Sequence, residues 1–402
     1  MKDRLIALNK HSGLKIARQL LQLLLIMVCF LFSVRVIGSA FGQLGEEMIH
    51  AIIDATSNPF VSLFIGIILT AMIQSSSTST SMTVAFVASG VIGLEQAVPL
   101  IMGANIGTTI TSLIVALGFI NRKRTFRKAI AVGTLHSLYN VFLVLILFPL
   151  EMQFGLLSSM AQNISQKVLS FPVPSIGNIF IFKGSFFSKL SEMISSIGNG
   201  YFLLLVGITL LVLSLKMITK ISRNALIGSS GREWFDGMFQ RSEKSFGWGI
   251  FFTMALQSSS VTTSILVPLV ATEKIQVKNA FPFIIGANLG TTITALLAAF
   301  FGIQQAMPIA IVHLLFNVTG VLLFMPLGGI RQLLVNFSGI AGRFAMKYRL
   351  SVFVYIFVIF FALPFALIYF NHSKEEVSSS KMISKPSIFK VEKTTKPPQI
   401  IS

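Results

Sequence analysis

The apolar positions of this chain come in long blocks, and the polar ones gather in the short stretches between them. Blocks over about 20–40, 97–120, 129–150, 199–217, 279–300, 307–328 and 351–370 approach or exceed the roughly 20 residues that a helix needs to cross a bilayer. They predict about seven transmembrane helices. Two further apolar stretches are interrupted. Residues 60–73 are too short to cross and run directly into Gln74-Ser75-Ser76-Ser77, after which a second apolar arm covers about 82–92. An apolar arm, a polar tip and a second arm predict a re-entrant hairpin over about 60–92. The stretch 247–272 repeats the pattern around Gln257-Ser258-Ser259-Ser260. Gly103 and Gly107 are expected to break helix 97–120 in its middle. The polar remainder reads as loops: one with Glu46, Glu47 and Asp54, a basic one over 121–128, a poorly structured one over 151–198, and basic ones over 218–245 and 329–350.

The hairpins belong to a repeat. Adding 183 to any position in 74–111 gives its partner in 257–294 without a gap, and 21 of the 38 pairs are identical, among them Gln-Ser-Ser-Ser and Gly-Ala-Asn-x-Gly-Thr-Thr-Ile-Thr. Self-similarity at a fixed offset sets the architecture. Each half holds one helix, a hairpin and two more helices. Three crossings is an odd number, so the second half enters from the opposite side. The expected fold is an all-α integral membrane protein of two inverted-topology repeats, each with a re-entrant hairpin and broken helices. Loop charges agree: Arg122, Lys123, Arg124, Arg127 and Lys128 mark 121–128 as cytoplasmic, whereas its counterpart 302–306 carries no charge, as an outside loop can. The division expected is a basic cytoplasmic N-terminus (1–19), repeat one (20–150), an external loop (151–198), repeat two (199–328), a basic loop with the final helix (329–370) and a disordered tail (371–402). The basic start followed by an apolar run looks like a signal peptide. The run is long enough to span and lacks a small-x-small cleavage site, so a retained first helix is expected.

Composition sharpens this. Of the 402 residues 53% are hydrophobic and 11% charged, against about 25% charged in a soluble domain. The expected setting is a lipid bilayer, crossed many times with the N-terminus cytoplasmic. The net charge of +18 falls in loops and tails, where it sets orientation and meets anionic lipid rather than nucleic acid. A single cysteine, Cys29, excludes an intramolecular disulfide.

All 14 carboxylates fall outside the predicted spans. The usual intramembrane proton relay is therefore missing, save for His136 and His313. No close set of carboxylate, His and Cys groups is available for a catalytic dyad or a metal cluster, so neither an enzyme nor a resident cofactor is expected. What the repeated motifs offer is neutral oxygen. Hydroxyls donate to an anion or accept around a cation, and broken helices add bare N–H groups at one end and bare carbonyls at the other. One helix end stabilises an adjacent charge by about 0.3–1 kcal/mol, up to about 2 when partly buried. A charge at mid-membrane costs about 2.5–3.5 kcal/mol even on the lenient scale. Two helix ends and some hydroxyls do not hold a divalent anion alone, so co-bound cations are the natural counter-charge. Ser and Thr in membrane helices also serve simply to bond neighbouring backbone; it is their duplication at two hairpin tips that favours a shared binding site. His136 and Asn140 recur as His313 and Asn317, an i, i+4 pair expected to bond between helices rather than to touch a substrate.

The paired Gln-Ser-Ser-Ser tips, the following Gly-Ala-Asn-x-Gly-Thr segments and the Phe-Arg-Lys-Ala…His…Asn run from Phe126 to Asn140 together resemble the type II sodium-dependent phosphate cotransporter family, over roughly residues 20–370. The resemblance implies Na⁺-driven uptake of inorganic phosphate by alternating access. It places the phosphate among Ser75, Ser76, Ser77, Ser258, Ser259 and Ser260, with Asn105 and Asn288 beside them. It assigns sodium to Gln257, Thr291 and Thr294, and by repeat symmetry to Gln74, Thr108 and Thr111. The pattern departs from animal members at Arg122, where they carry an acidic residue. It departs also in the cysteine-free loop between the halves and in the tail that stands where they have a further span, so the resemblance implies a compact prokaryotic-type member in a plasma membrane, the bacterial inner membrane. Phosphate and Na⁺ are the implied partners, with a homodimer left open. Three alternatives remain beside uptake: transport of another oxyanion, phosphate export on the same scaffold, and an anion channel or membrane receptor.

Overall fold

The computed structural model describes residues 46–170, 200–226, 237–301 and 307–369, with scattered helical positions between Gln22 and Gln43 and at Ser196. The expectations for the basic N-terminus, most of the inter-repeat stretch, the uncharged loop 302–306 and the tail lie outside the described residues. Among those described, every regular element is a helix. In chain order they are α1 (Glu46–Ser57), α2 (Pro59–Ile73), α3 (Ser76–Ala88), α4 (Leu94–Gly107), α5 (Ile110–Leu117), α6 (Lys123–Phe154), α7 (Leu156–Ser170), α8 (Gly200–Leu226), α9 (Ser242–Leu256), α10 (Ser259–Ala271), α11 (Val277–Phe301), α12 (Met307–Phe324), α13 (Gly328–Lys347) and α14. The last runs from Ser351 to Tyr369 through a π-turn at Val358–Ala362. Four helical stretches among the described residues are long and apolar enough to cross a membrane: Leu94–Leu117, Lys123–Phe154, Met307–Phe324 and Ser351–Tyr369.

The repeat is visible as two helix pairs packed side by side, α2 on α4 and α9 on α11. In the first, the Ser62 hydroxyl donates to the Gln96 carbonyl at 2.7 Å; in the second, Ser245 donates to the Asn279 carbonyl at 2.9 Å. A Cβ at Gly66 would overlap the Leu100 carbonyl oxygen, and one at Gly103 the Leu63 carbonyl oxygen. Their equivalents, Gly249 and Gly286, stand in the same way against Phe283 and Phe246. These glycines let the backbones touch, as small residues do in membrane helix pairs. Contrary to the expectation from sequence, Gly103 and Gly107 do not break the helix. The interruption falls just beyond them, at Thr108–Thr109, where the Thr109 N–H returns to Ile106 and the Thr111 N–H to Thr108. Its counterpart α11 runs unbroken through Thr291 and Thr292, so only the first repeat has the broken helix.

Helix α6 is the spine, at 32 residues about 48 Å long. At one end Lys128 pairs with Glu273 at 2.7 Å, beyond the exit of α10. Far along it, the Phe148 ring meets Phe60, at the start of α2, edge-on at 4.9 Å. The two contacts are 20 residues apart on α6, about 30 Å of helix. Between them a cluster of Tyr139, Phe281 and Phe324 joins α6, α11 and α12, with ring centroids 5.2–6.2 Å apart.

Several expected loops are helical. Residues 46–57 form α1 and the basic run from Lys123 opens α6. Helix α8 continues to Leu226, and 328–347 form α13. The start of the inter-repeat stretch is α7, not loop: Gly155 ends α6 in the left-handed conformation at φ 55°, and the Glu151 carboxylate accepts the Leu157 N–H at 2.6 Å, the Ser158 N–H at 3.3 Å and the Ser158 hydroxyl. A buried carboxylate facing a helix N-terminus satisfies otherwise orphaned donors. Glu151 is thus inside α6 and 5% exposed, against the expectation that every carboxylate lies outside the membrane helices. These segments defeat the hydropathy pattern because their helices are amphipathic: Leu157, Ala161 and Ser165 of α7 are buried at four-residue spacing while Met160, Gln162 and Lys167 are exposed, and mean polarity alone reads such a segment as loop.

Candidate functional site

Each Gln-Ser-Ser-Ser segment is the turn between two short helices, and the two turns have nearly the same geometry. Gln74 ends α2 at φ 58°, ψ 29°, and Gln257 ends α9 at φ 52°, ψ 29°, both in the left-handed region that caps helices. The next residues, Ser75 and Ser258, are extended N-caps whose hydroxyls accept the N–H of Thr78 and Val261, each at 3.3 Å. Ser76, Ser77, Ser259 and Ser260 then open α3 and α10 and are all buried. The two tips meet. Ser76 Oγ lies 3.3 Å from Ser259 Oγ, and the Ser77 hydroxyl donates to the Gln257 carbonyl at 3.4 Å. Ser112 of α5 donates to Thr263 of α10 at 3.2 Å, which ties the second tip to the helix break. Two helix N-termini, each with roughly half a positive charge, therefore abut in a buried, hydroxyl-lined space.

The other predicted residues are distributed around this contact. Thr108 and Thr291 each turn their hydroxyl onto their own helix, at Ala104 (2.8 Å) and Ala287 (3.0 Å). Gln257 Nε2 donates to the Met254 carbonyl at 2.6 Å. The hydroxyls of Thr111 and Ser260 are buried without a hydrogen-bond partner. Thr294 lies on α11, its side chain outside the described set. Thr80 and Ser264, inside the repeated blocks, are likewise buried and unpartnered, and so are two hydroxyls just outside them, Thr70 and Thr253. Thr70 and Thr253 are 183 apart, so the repeat offset, carried four residues upstream of the aligned block, would have found them.

Asn105 and Asn288 are repeat partners in different states. Asn288 Oδ1 is 3.0 Å from His136 Nε2, and Asn288 Nδ2 donates to Asn140 Oδ1 at 2.8 Å, so α11 and α6 are bound by a three-residue polar lock. His136 and Asn140 serve as the inter-helix bond that their spacing implied. The equivalent set is open. Asn105 turns back to the Ile101 carbonyl at 2.9 Å, and both ring nitrogens of His313 and the Asn317 Oδ1 are buried without a partner. The open lock coincides with the interrupted helix, the closed one with the continuous helix.

A membrane-type helical protein with twin serine-capped turns is the class that fold and site define. The profile of one such family, described as Na+/Pi-cotransporter, matches residues 29–220 and 210–366, and the chain belongs to that family. Among curated relatives it is 30% identical over 420 residues to mouse sodium-dependent phosphate transport protein 2A, covering 85% of this chain and 66% of the relative. It is 29% identical over 443 residues to human sodium-dependent phosphate transport protein 2B, covering 86% and 64%. The chain thus spans just under two thirds of the length of these relatives. No solved structure matches it.

Proposed function

We propose that the chain is a symporter that couples inward Na⁺ movement to uptake of inorganic phosphate across the plasma membrane, by alternating access between two inverted repeats. The observation that carries this reading is the buried contact of the two serine tips, Ser76 on Ser259. Two abutting helix N-termini sum to about one positive charge, and facing hydroxyls and free N–H groups suit an oxyanion. Phosphate brings up to two negative charges, so the dipoles leave it under-compensated. Na⁺ held by neutral oxygens supplies the remainder, with the tip glutamines Gln74 and Gln257 and the threonines Thr108, Thr111, Thr291 and Thr294 as ligands. Anion and cation then bind well only together, which is the thermodynamic content of coupling.

The two hairpins lean on opposite ends of α6, Phe60 at Phe148 and Glu273 at Lys128. The 30 Å or so between those ends is about the thickness of a hydrocarbon core, which supports re-entrant hairpins that enter from opposite faces and meet at the middle. The basic start of α6 belongs on the cytoplasmic face by the same charge rule. The closed and open asparagine locks support alternation. Two halves of like sequence rest in unlike hydrogen-bonding states, and exchanging those states gives a second conformation of comparable bonding. The relatives' names, sodium-dependent phosphate transport proteins, agree with this assignment.

The test is uptake of radiolabelled phosphate into proteoliposomes under an imposed Na⁺ gradient. Saturable, Na⁺-dependent uptake is expected, reduced at least tenfold by Ser76→Ala or Ser259→Ala, on the order of the 1–3 kcal/mol lost when a buried hydrogen bond to a charge is left unmade. Uptake indifferent to Na⁺ but driven by a pH gradient overturns the coupling. Outward movement under the same gradient assigns export instead.

A further inference from the structure

Away from the serine tips, a cavity of about 440 Å³ opens between the first turns of α6, the exit of α10 and α13. Its polar lining is Arg127, Lys128, Glu273, Gln276 and Arg343. The charges do not balance: Glu273 is committed to Lys128 at 2.7 Å, and no carboxylate among the described residues stands within salt-bridge distance of Arg127 or Arg343. The two arginines come together for a structural reason. A Cβ at Gly342 would overlap the Arg127 carbonyl oxygen, so α13 lies with its backbone against α6 only because position 342 is glycine. Arg343, the next residue, is then carried to the rim of the same cavity.

We infer that this cavity is a binding site for a phosphate-bearing anion, namely the headgroup of an anionic phospholipid. Guanidinium forks match phosphate oxygens two at a time, and basic pockets between helices at a membrane face are where such headgroups lodge. The lipid is favoured over a free anion by what adjoins the cavity on α13. Leu333, Phe337, Ile340 and Phe344 are each 44–57% exposed and repeat at three and four residues, which makes one apolar stripe. At about 100° per residue, Arg343 falls between Gly339, which lines the cavity, and that stripe. A phosphate held by Arg127 and Arg343 therefore has its glycerol and acyl chains leading directly onto an exposed apolar surface.

The test uses the full-length protein, delipidated in neutral detergent. Its thermal midpoint is measured with added phosphatidylglycerol, phosphatidylcholine, glycerol 3-phosphate or inorganic phosphate, always without Na⁺, so that the serine tips contribute little. Native mass spectrometry counts retained lipid in parallel. Phosphatidylglycerol is expected to raise the midpoint and phosphatidylcholine not. Arg127→Gln with Arg343→Gln should remove at least half of the rise and one bound lipid. Arg122→Gln with Lys347→Gln, the same charge change on neighbouring exposed residues, should remove neither. Each pair's midpoint without lipid reports whether it has folded. Equal loss in both pairs means a diffuse basic rim and overturns the site, as does retention in both. Stabilisation by inorganic phosphate that matches phosphatidylglycerol and disappears in the arginine pair overturns the lipid as the source and assigns a free anion.

Discussion

At the scale of single residues, the two halves differ most informatively where a glycine in one faces a glutamate in the other. Gly90 and Glu273 are repeat partners, and both are left-handed, at φ 74° and 65°. Glycine adopts that conformation freely, whereas any residue with a Cβ is strained there. Glu273 adopts it where the chain leaves α10, its own N–H bonded to the Val270 carbonyl and the Lys274 N–H to that of Leu269, while the hydrogen bond and charge of Lys128, with Arg124 and Arg127 adding to them, keep its carboxyl below the usual glutamate range. An exposed ion pair stabilises little, so Glu273→Gly is expected to leave the thermal midpoint equal or higher at pH 7, and Glu273→Ala to lower it. A glycine variant less stable than the alanine variant would show that the ion pair, not the backbone, dominates. Because the folded pKa is depressed, the pair's contribution is whole above the unfolded value and is lost only as pH falls through the lowered one. The parent's midpoint relative to Glu273→Gly should therefore be flat from neutral pH down to the ordinary glutamate range and fall only below it. The serine tips are legible from sequence at this scale because Gln-Ser-Ser-Ser is rare in an apolar setting and occurs twice. Thr70 and Thr253 are not, since one hydroxyl among apolar neighbours has no local signature and gains meaning only through the repeat offset.

At the scale of elements, long uninterrupted apolar blocks are legible nearly to the residue: Met307 and Ser351 begin helices where the hydropathy pattern puts them. Amphipathic helices α1, α7 and α13 look like loops, because one polar face dilutes the apolar one. The motif glycines suggest a break that belongs instead to Thr108–Thr109; glycine has two uses in a membrane helix, and only the packed partner distinguishes them. That distinction is testable two residues apart on one helix. A Cβ at Gly249 would overlap the Phe283 carbonyl oxygen, whereas nothing lies within 4 Å of one at Gly247. Gly249→Ala is expected to destabilise by about 1–3 kcal/mol through forced helix separation. Gly247→Ala should be neutral or stabilising by up to about 1 kcal/mol, the helix-propensity gain. Similar midpoints for the two would remove the close-packing role. The asparagine locks give a second contrast. Asn288→Ala strands His136 and Asn140 and should cost about 1–3 kcal/mol. Asn105→Ala loses only a bond to its own helix and should cost less than about 1 kcal/mol. Alternation requires both variants to slow uptake, and a normal uptake rate in Asn105→Ala would show that the second lock never closes.

At the scale of the whole molecule, everything proposed about transport depends on the two hairpins reaching the serine contact from opposite faces of the membrane. An odd number of crossings per repeat predicts this from sequence, and the distances in the packing are compatible with it. Phe60 and Glu273 touch α6 at points about 30 Å apart along its axis. Yet Ser76 and Ser259, at the other ends of the same hairpins, are 3.3 Å apart. A hairpin whose two short arms are 15 and 13 residues reaches about 20 Å. Two of them from opposite faces meet inside a core of about 30 Å with overlap to spare, while two from one face would put their bases side by side. The side of each base can be read with a membrane-impermeant thiol reagent in a Cys29→Ser background. Ser57→Cys lies just before α2 and Lys274→Cys just after α10, and both parent residues are exposed. In right-side-out vesicles Ser57→Cys should label at once and Lys274→Cys only after the membrane is permeabilised, the basic start of α6 being cytoplasmic. The reverse order would turn the molecule over but keep the inversion. Labelling of both from one face would place the hairpins on the same side, and the serine contact would then be a packing junction between parallel halves rather than a seat shared by two opposed ones.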